Sequence, residues 1–129
     1  REYRSDAYIA WFVLSATPEM LTKRPSELAA FVRALIKAEN FIKSSPDAAM
    51  KALADATEGL LSIEIIKKKF AEAEYEIGLS NGLLDILEVQ AKWVVGKGMV
   101  KAKPSRNLIK SYLATGPMTS VDPSRITLK

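Results

Sequence analysis

Apolar side chains fill every position of the run from Tyr8 to Leu14, so this run has no solvent-facing side. Asp6 precedes it, and Ser15 and Pro18 follow it. The run is far shorter than the about 20 apolar residues that span a bilayer. Its aromatic and β-branched side chains favour a strand that is buried on both faces of a sheet. We therefore predict one buried N-terminal strand over residues 8–14.

The predicted strand has few candidates for a neighbour in the rest of the chain. A buried strand must pair its N–H and C=O groups on both sides. The pattern offers only one other short extended segment, residues 75–79, and the remainder reads as helix. We therefore expect either a fragment of a larger α/β protein or a protomer that completes its sheet with another copy.

Helical spacing dominates the chain after residue 17 and predicts about five helices. Apolar residues recur at intervals of three and four, which is the spacing of one buried helix face. Helix starts are marked by Thr or Ser caps, by Pro at the first helical position and by acids in the first turn. The predicted helices are 18–23, 25–44, 46–57, 63–73 and a helix that is capped by Ser80 and ends near Gly98.

The buried face of the 25–44 helix and the C-terminal part of the chain complete the predicted organisation. The buried face is expected to comprise Leu28, Phe31, Val32, Leu35, Ala38 and Ile42. A loosely structured tail is expected over 104–129, with one or two helical turns at 107–113, because Pro117 and Pro123 interrupt regular structure there. No interdomain linker is apparent, so residues 1–129 are treated as one unit.

The composition excludes several kinds of chemistry. The chain of 129 residues contains no Cys and no His. Without Cys it has no disulfide and no thiol nucleophile. Without His it has no Ser-His-Asp triad and lacks the imidazole, which is the commonest ligand of transition metals. We expect a protein that is not an enzyme and that uses neither a metal ion nor a cofactor.

The charged residues do not indicate a nucleic-acid partner. The formal net charge is +4, but the only dense basic run, 67–69, is followed by Glu72, Glu74 and Glu76. A solvated helix face is the favoured interpretation, with an acidic partner or a membrane surface as alternatives. The three glutamates are spread across a helix end, so surface charge explains them better than an acid or metal role.

Four segments together resemble a known family. Residues 13–21 read as a strand that ends in a small-residue turn, and 25–42 read as a long helix that starts with Pro-Ser-Glu-Leu-Ala-Ala-Phe. Ser-Pro-Asp-Ala-Ala at 45–49 and the apolar helix at 83–93 follow. In this order they resemble the C-terminal part of the periplasmic solute-binding proteins of ABC importers. The nearest branch is the nitrate/sulfonate/taurine-type and thiamine-precursor-type group.

The resemblance implies a fold and a function. The chain would be a single partial lobe, namely the C-terminal portion of a two-lobe α/β binding protein of the type II fold. The complete periplasmic protein would bind nitrate, a sulfonate, an aromatic acid or a thiamine precursor and deliver it to the transporter permease. Its partners would be that ligand, the permease, and either the missing N-terminal lobe or a second copy.

Two residues of the segment 3–8, which leads into the predicted strand, are the candidate ligand contacts that the resemblance implies. Arg4 would pair with an anionic group of the ligand as a bidentate donor, and Tyr8 would pack against the ligand. The alternatives are a solvated Arg4 and a Tyr8 that packs in a sheet. Trp11 and Trp93 lie within apolar patterns and are expected to pack in the core.

A second function stays open on the residues alone. An exposed apolar strand is a template for pairing with another chain. The chain would then be a stand-alone helical interaction module that dimerises by strand pairing through residues 8–14.

Overall fold

The computed structural model describes residues 10–101 and 104–129 and shows an all-α chain over these ranges. Its helices are α1 (Pro18–Lys23), α2 (Pro25–Ser44), α3 (Pro46–Ala56), α4 (Ile63–Glu72), α5 (Asn81–Gly96), α6 (Arg106–Ser111), α7 (Gly116–Thr119) and a 3-10 helix (Pro123–Arg125).

The five predicted helices are confirmed, because each prediction rests on a local signal that the structure uses. Thr17, the N-cap of α1, accepts a hydrogen bond from the Met20 N–H at 3.2 Å. Ser62 and Ser80 cap α4 and α5 in the same way. Proline occupies the start of α1, α2 and α3. Gly98, just past the end of α5, has a positive φ of 71° that suits a helix terminus.

The prediction of a buried strand over residues 8–14 is wrong. Residues 10–14, the part of the run that the structure describes, form no strand, and Phe12 is 98% exposed. In the described ranges, β-type pairing is limited to one isolated parallel bridge between Leu79 and Ile126. An apolar run favours burial, but a strand also needs a partner for its backbone groups. No described segment supplies that partner.

The correction extends to the fold class. The described residues contain no sheet, so the chain is not a portion of an α/β type II fold with a strand. The second extended candidate, 75–79, contributes only Leu79 to the isolated bridge. The helices therefore pack on one another and not on a sheet.

Helix α2 lies at the centre of the packing, against α1, α3 and α7, while α4 packs on α3 and α6 on α5. Its predicted buried face is confirmed in part, because Leu28, Val32, Leu35 and Ile42 are partly buried. Ala29 and Glu39 are the buried residues of α2, whereas Phe31 is 51% exposed and Ala38 is also exposed. The most deeply buried side chains elsewhere are Ile66 on α4 and Leu84 on α5.

The segment 104–129, for which a loose tail is expected, carries α6, α7 and the 3-10 helix. Pro117 and Pro123 stand in the first turn of α7 and of the 3-10 helix, where a missing N–H costs nothing. Met118 is buried, and α7 packs on α2. Prolines that looked like interruptions therefore begin short helices that return the chain to α2.

Much apolar surface is uncovered. Large apolar side chains that are more than half exposed include Phe12, Val13, Leu14, Phe31, Leu60, Val89, Trp93, Met99 and Tyr112. Three of these side chains, Phe12, Val13 and Leu14, are consecutive in the chain.

Candidate functional site

The two predicted ligand contacts, Arg4 and Tyr8, lie outside the described residues. The expectation that Trp11 and Trp93 pack in the core is wrong, because they are 41% and 57% exposed. The Nζ atom of Lys97 lies 5.9 Å from the centroid of the Trp93 ring. Trp11 instead lines a cleft that also contains Glu39 and Arg125, whose ion pair joins residues 86 positions apart.

This cleft has a volume of about 340 Å³ and lies where the extended link 76–80 meets residues 122–127. Trp11 lines it beside the backbone of the link, and Lys43 of α2 also borders it. The edge of the Trp11 ring lies close to Gly82, since a Cβ built on that glycine would be 3.3 Å from Trp11 Cζ2. The cleft thus joins four parts of the chain: the segment around Trp11, α2, the link and residues 122–127.

Glu39 of α2 forms the floor of the cleft and is only 3% exposed. Its Oε1 accepts a hydrogen bond from Lys43 Nζ at 2.5 Å. Its Oε2 accepts from the Ile77 backbone N–H at 2.9 Å and from Arg125 Nη1 at 2.7 Å. A buried carboxylate is costly unless it is paired in this way. We call Glu39, Lys43, Asp122 and Arg125, with the backbone of Ile77, the Glu39 cluster.

Arg125 contacts the link at Ile77 and also pairs with Asp122. Its Nη1 also donates to the Ile77 carbonyl at 2.9 Å, and its Nε donates to Asp122 Oδ2 at 3.0 Å. Asp122 in turn accepts from the N–H and hydroxyl of Ser124 at 3.2 and 2.5 Å. Both backbone groups of Ile77 are therefore held by charged side chains, and α2 is joined to a residue 86 positions later.

The electrostatics of the cluster keep both carboxylates ionised. Burial by itself raises the pKa of Glu39, but hydrogen bonds from Lys43, Ile77 and Arg125 outweigh it, so the pKa lies below its ordinary value. The Ser124 hydroxyl, followed by Arg125, lowers the pKa of Asp122. Glu39 in turn raises the pKa of Arg125. At neutral pH neither acid has a proton to donate.

Backbone pairing continues the contact beyond the cluster. The Leu79 N–H donates to the Arg125 carbonyl and the Thr127 N–H donates to the Leu79 carbonyl, both at 2.9 Å. Gly78 allows this approach, because a Cβ there would lie 3.0 Å from the Arg125 oxygen. The Lys129 N–H donates to Asn81 Oδ1 at 2.8 Å. We call residues 122–129 the C-terminal segment, and these bonds fasten it to the link and to α5.

The Glu39 cluster stabilises the contacts between α2, the link and the C-terminal segment. Within the described ranges no group of His, Cys, Asp and Glu residues has the arrangement of a metal site. No buried side-chain N or O atom in those ranges lacks a hydrogen-bond partner. Both carboxylate oxygens of Glu39 accept hydrogen bonds from donors of this chain. The Glu39 cluster therefore positions the link and the cleft wall.

Sequence reasoning missed Glu39, although a signal was present. Glu39 follows Leu35 by four positions and precedes Ile42 by three, so it stands on the apolar stripe of α2. An acid in such a stripe needs a cationic or N–H partner. The pattern did not identify that partner, because Arg125 lies far away in sequence and Ile77 contributes only its backbone.

Comparison with known proteins gives no relative for this chain: no family model, no curated protein and no solved structure matches it. Across the described residues, every helix is too short or too polar to cross a membrane.

Proposed function

We propose that this chain is part of the solute-binding component of an ABC importer. The complete receptor would bind a small molecule on the outer side of the membrane and deliver it to the permease, with no chemical step. The support is the family resemblance of residues 8–49 together with one structural observation. That observation is an apolar segment, 10–14, that lies uncovered next to the Trp11 cleft.

The exposed segment 10–14 is the main structural support for this proposal. Phe12, Val13 and Leu14 are 98%, 58% and 69% exposed. Burying such side chains contributes about 1.5–3 kcal/mol each, so another part of the receptor that covers them gains substantial stability. In this proposal the second lobe covers the segment, and the two lobes close on the ligand by a hinge motion.

Ligand recognition in this proposal falls to the residues that precede the segment. The Arg4 guanidinium would hold the oxygen atoms of a nitrate, a sulfonate or a carboxylate through two parallel hydrogen bonds. Tyr8 would pack against the apolar part of the ligand. The Glu39 cluster would hold the wall of the Trp11 cleft in place without contacting the ligand.

The test is calorimetry on two proteins, the product of the complete reading frame and residues 1–129. The probes are nitrate, an alkanesulfonate, an aromatic carboxylate and an aminopyrimidine. We expect the complete product to bind one of them and residues 1–129 to bind none tightly. The proposal fails if the complete product binds none, or if residues 1–129 bind one tightly.

A pair of variants tests the recognition step. In the complete product, Arg4→Gln should weaken binding of an anionic probe at least tenfold, which is about 1.4 kcal/mol. Arg33→Gln is the matched control, because Arg33 is an exposed residue of α2 that does not line the Trp11 cleft. Equal affinity for the two variants would exclude Arg4 from the site.

The alternative function, a stand-alone interaction module, is favoured by the same exposed segment. A second copy that pairs through residues 8–14 would cover it. Light scattering of residues 1–129 would then report a dimer. Phe12→Lys should convert it to a monomer, while Leu60→Lys, at a position 87% exposed, should leave the dimer intact. A monomeric wild-type chain rules this function out.

A further inference from the structure

The first two residues of α5 form an Asn-Gly pair whose chemistry the proposed function does not use. Helix starts leave N–H groups without helical acceptors. Ser80 accepts from the Leu83 N–H through its hydroxyl and from the Leu84 N–H through its carbonyl, both at 3.3 Å. The Gly82 N–H has no acceptor among the described residues. It is therefore the amide of this turn that is available for reaction.

The side chain of Asn81 is oriented by the C-terminal segment. Its Oδ1 accepts the Lys129 N–H at 2.8 Å. This bond polarises the side-chain carbonyl and stabilises negative charge that develops on Oδ1, as a donor in an oxyanion hole does. Gly82 adds no side chain that would hinder approach of its own nitrogen to Asn81 Cγ, and it is exposed to solvent.

We propose that the Asn81–Gly82 pair is the preferred site of spontaneous deamidation in this chain, with water as the co-reactant. The Gly82 nitrogen loses its proton to water and bonds to Asn81 Cγ, the Cγ–Nδ2 bond breaks, and the Nδ2 group takes up a proton from water and leaves as ammonia. Water then opens the resulting succinimide ring at either carbonyl. The products are aspartate or isoaspartate at position 81, and one water is consumed for each ammonia released.

The other two asparagines of the chain lack this combination. Asn40 lies in the interior of α2, where the Phe41 N–H is part of the helical hydrogen-bond ladder, and the large Phe41 side chain hinders attack. Asn107 precedes Leu108, and the Leu108 N–H donates to the Ser105 hydroxyl at 3.2 Å. They are internal controls, since they experience the same solution for the same time.

The two products have different effects on the C-terminal segment. Aspartate keeps an oxygen acceptor for the Lys129 N–H and places a negative charge in the first turn of α5, where the helix dipole favours it. Isoaspartate routes the main chain through the β-carbon and lengthens it between the Ser80 cap and Leu83. We expect isoaspartate to break the cap and to release Lys129.

The test is a peptide map by mass spectrometry after residues 1–129 have been incubated folded at mildly alkaline pH. We expect position 81 to account for most of the deamidated product. Gly82→Ala should slow conversion several-fold, while Gly116→Ala, where an added Cβ meets nothing within 4 Å, should leave the rate unchanged. Circular dichroism confirms that both variants fold.

Two results would overturn the proposal. One is conversion of Asn81 in the wild-type chain no faster than that of Asn40 and Asn107. The other is an unchanged rate in a folded Gly82→Ala variant. Because the Cβ of that alanine would approach Trp11 at 3.3 Å, a Gly82→Ala/Trp11→Phe double variant repeats the measurement if the single variant unfolds.

Discussion

Replacing Glu39 by Gln tests whether the Glu39 cluster stabilises the fold. The substitution keeps the shape of the side chain and removes its charge. The remaining carbonyl oxygen can take the place of Oε2 and accept from Ile77 and Arg125 as a neutral group. The new amide then faces Lys43, which is 56% exposed and moves into water at little cost.

The magnitude follows from the two bonds to Oε2. A hydrogen bond to a charged group contributes about 1.5–3 kcal/mol and a neutral one about 1 kcal/mol. Each bond therefore loses about 1 kcal/mol, and the free energy of unfolding should fall by about 2 kcal/mol. Full removal of a buried partner costs more, about 3–5 kcal/mol, but here Arg125 keeps Asp122 and the Ile77 carbonyl.

The assay is urea unfolding followed by circular dichroism, with the free energy obtained by linear extrapolation. Asp55→Asn is the matched control, because Asp55 pairs with Lys51 at 3.0 Å on the exposed surface of α3. That change should cost less than about 0.5 kcal/mol. If Glu39→Gln costs no more than the control, the cluster does not stabilise the fold as described.

The stability difference between wild type and Glu39→Gln should depend on pH. The folded-state pKa of Glu39 lies below its ordinary value of 4.5. Its contribution to stability is therefore fully present above pH 4.5 and is lost as the pH falls through the folded pKa. The difference in unfolding free energy between wild type and Glu39→Gln should be constant near neutral pH and shrink below pH 4.5. A difference that grows on acidification would reverse the assigned direction.

Other substitutions test single contacts by the same urea assay. Gly78→Ala should cost about 1–3 kcal/mol, since its Cβ would lie 3.0 Å from a carbonyl oxygen of the C-terminal segment. Gly116→Ala, with free space around it, should cost nothing measurable. Ser80→Ala removes the α5 cap and should cost about 1 kcal/mol; no loss would contradict the cap. Leu84→Ala, at a fully buried position, should cost about 2–5 kcal/mol, whereas Leu60→Ala on the surface should change stability by less than about 0.5 kcal/mol.

The helices could be predicted because their signals are local. A Ser or Thr cap acts on an N–H three residues later, and a proline fixes its own φ. The start of α2 at Pro25 and the cap of α5 at Ser80 are therefore readable from a few neighbouring residues. The short helices near Pro117 and Pro123 escaped prediction, because proline marks a helix start and an interruption alike.

Features that depend on distant partners could not be predicted. The side chains of the apolar run 8–14 favour a strand, but a strand exists only where another segment pairs with it. The bond between Glu39 and Arg125 joins residues 86 positions apart, and no spacing rule relates them. The burial of Ala29 and Glu39 on α2 has the same origin, since α7 packs on that helix and Arg125 pairs with Glu39.

The two proposed functions differ in what covers residues 10–14, and this difference can be measured through concentration. If a second copy covers the segment, dimerisation stabilises the folded chain, so its unfolding midpoint rises with protein concentration. If the rest of a receptor covers it, the isolated chain has no such partner and its midpoint is independent of concentration. In that case the product of the complete reading frame should be more stable, because Phe12 and its neighbours are then buried. Both proteins therefore need to be measured at several concentrations before either function is assigned.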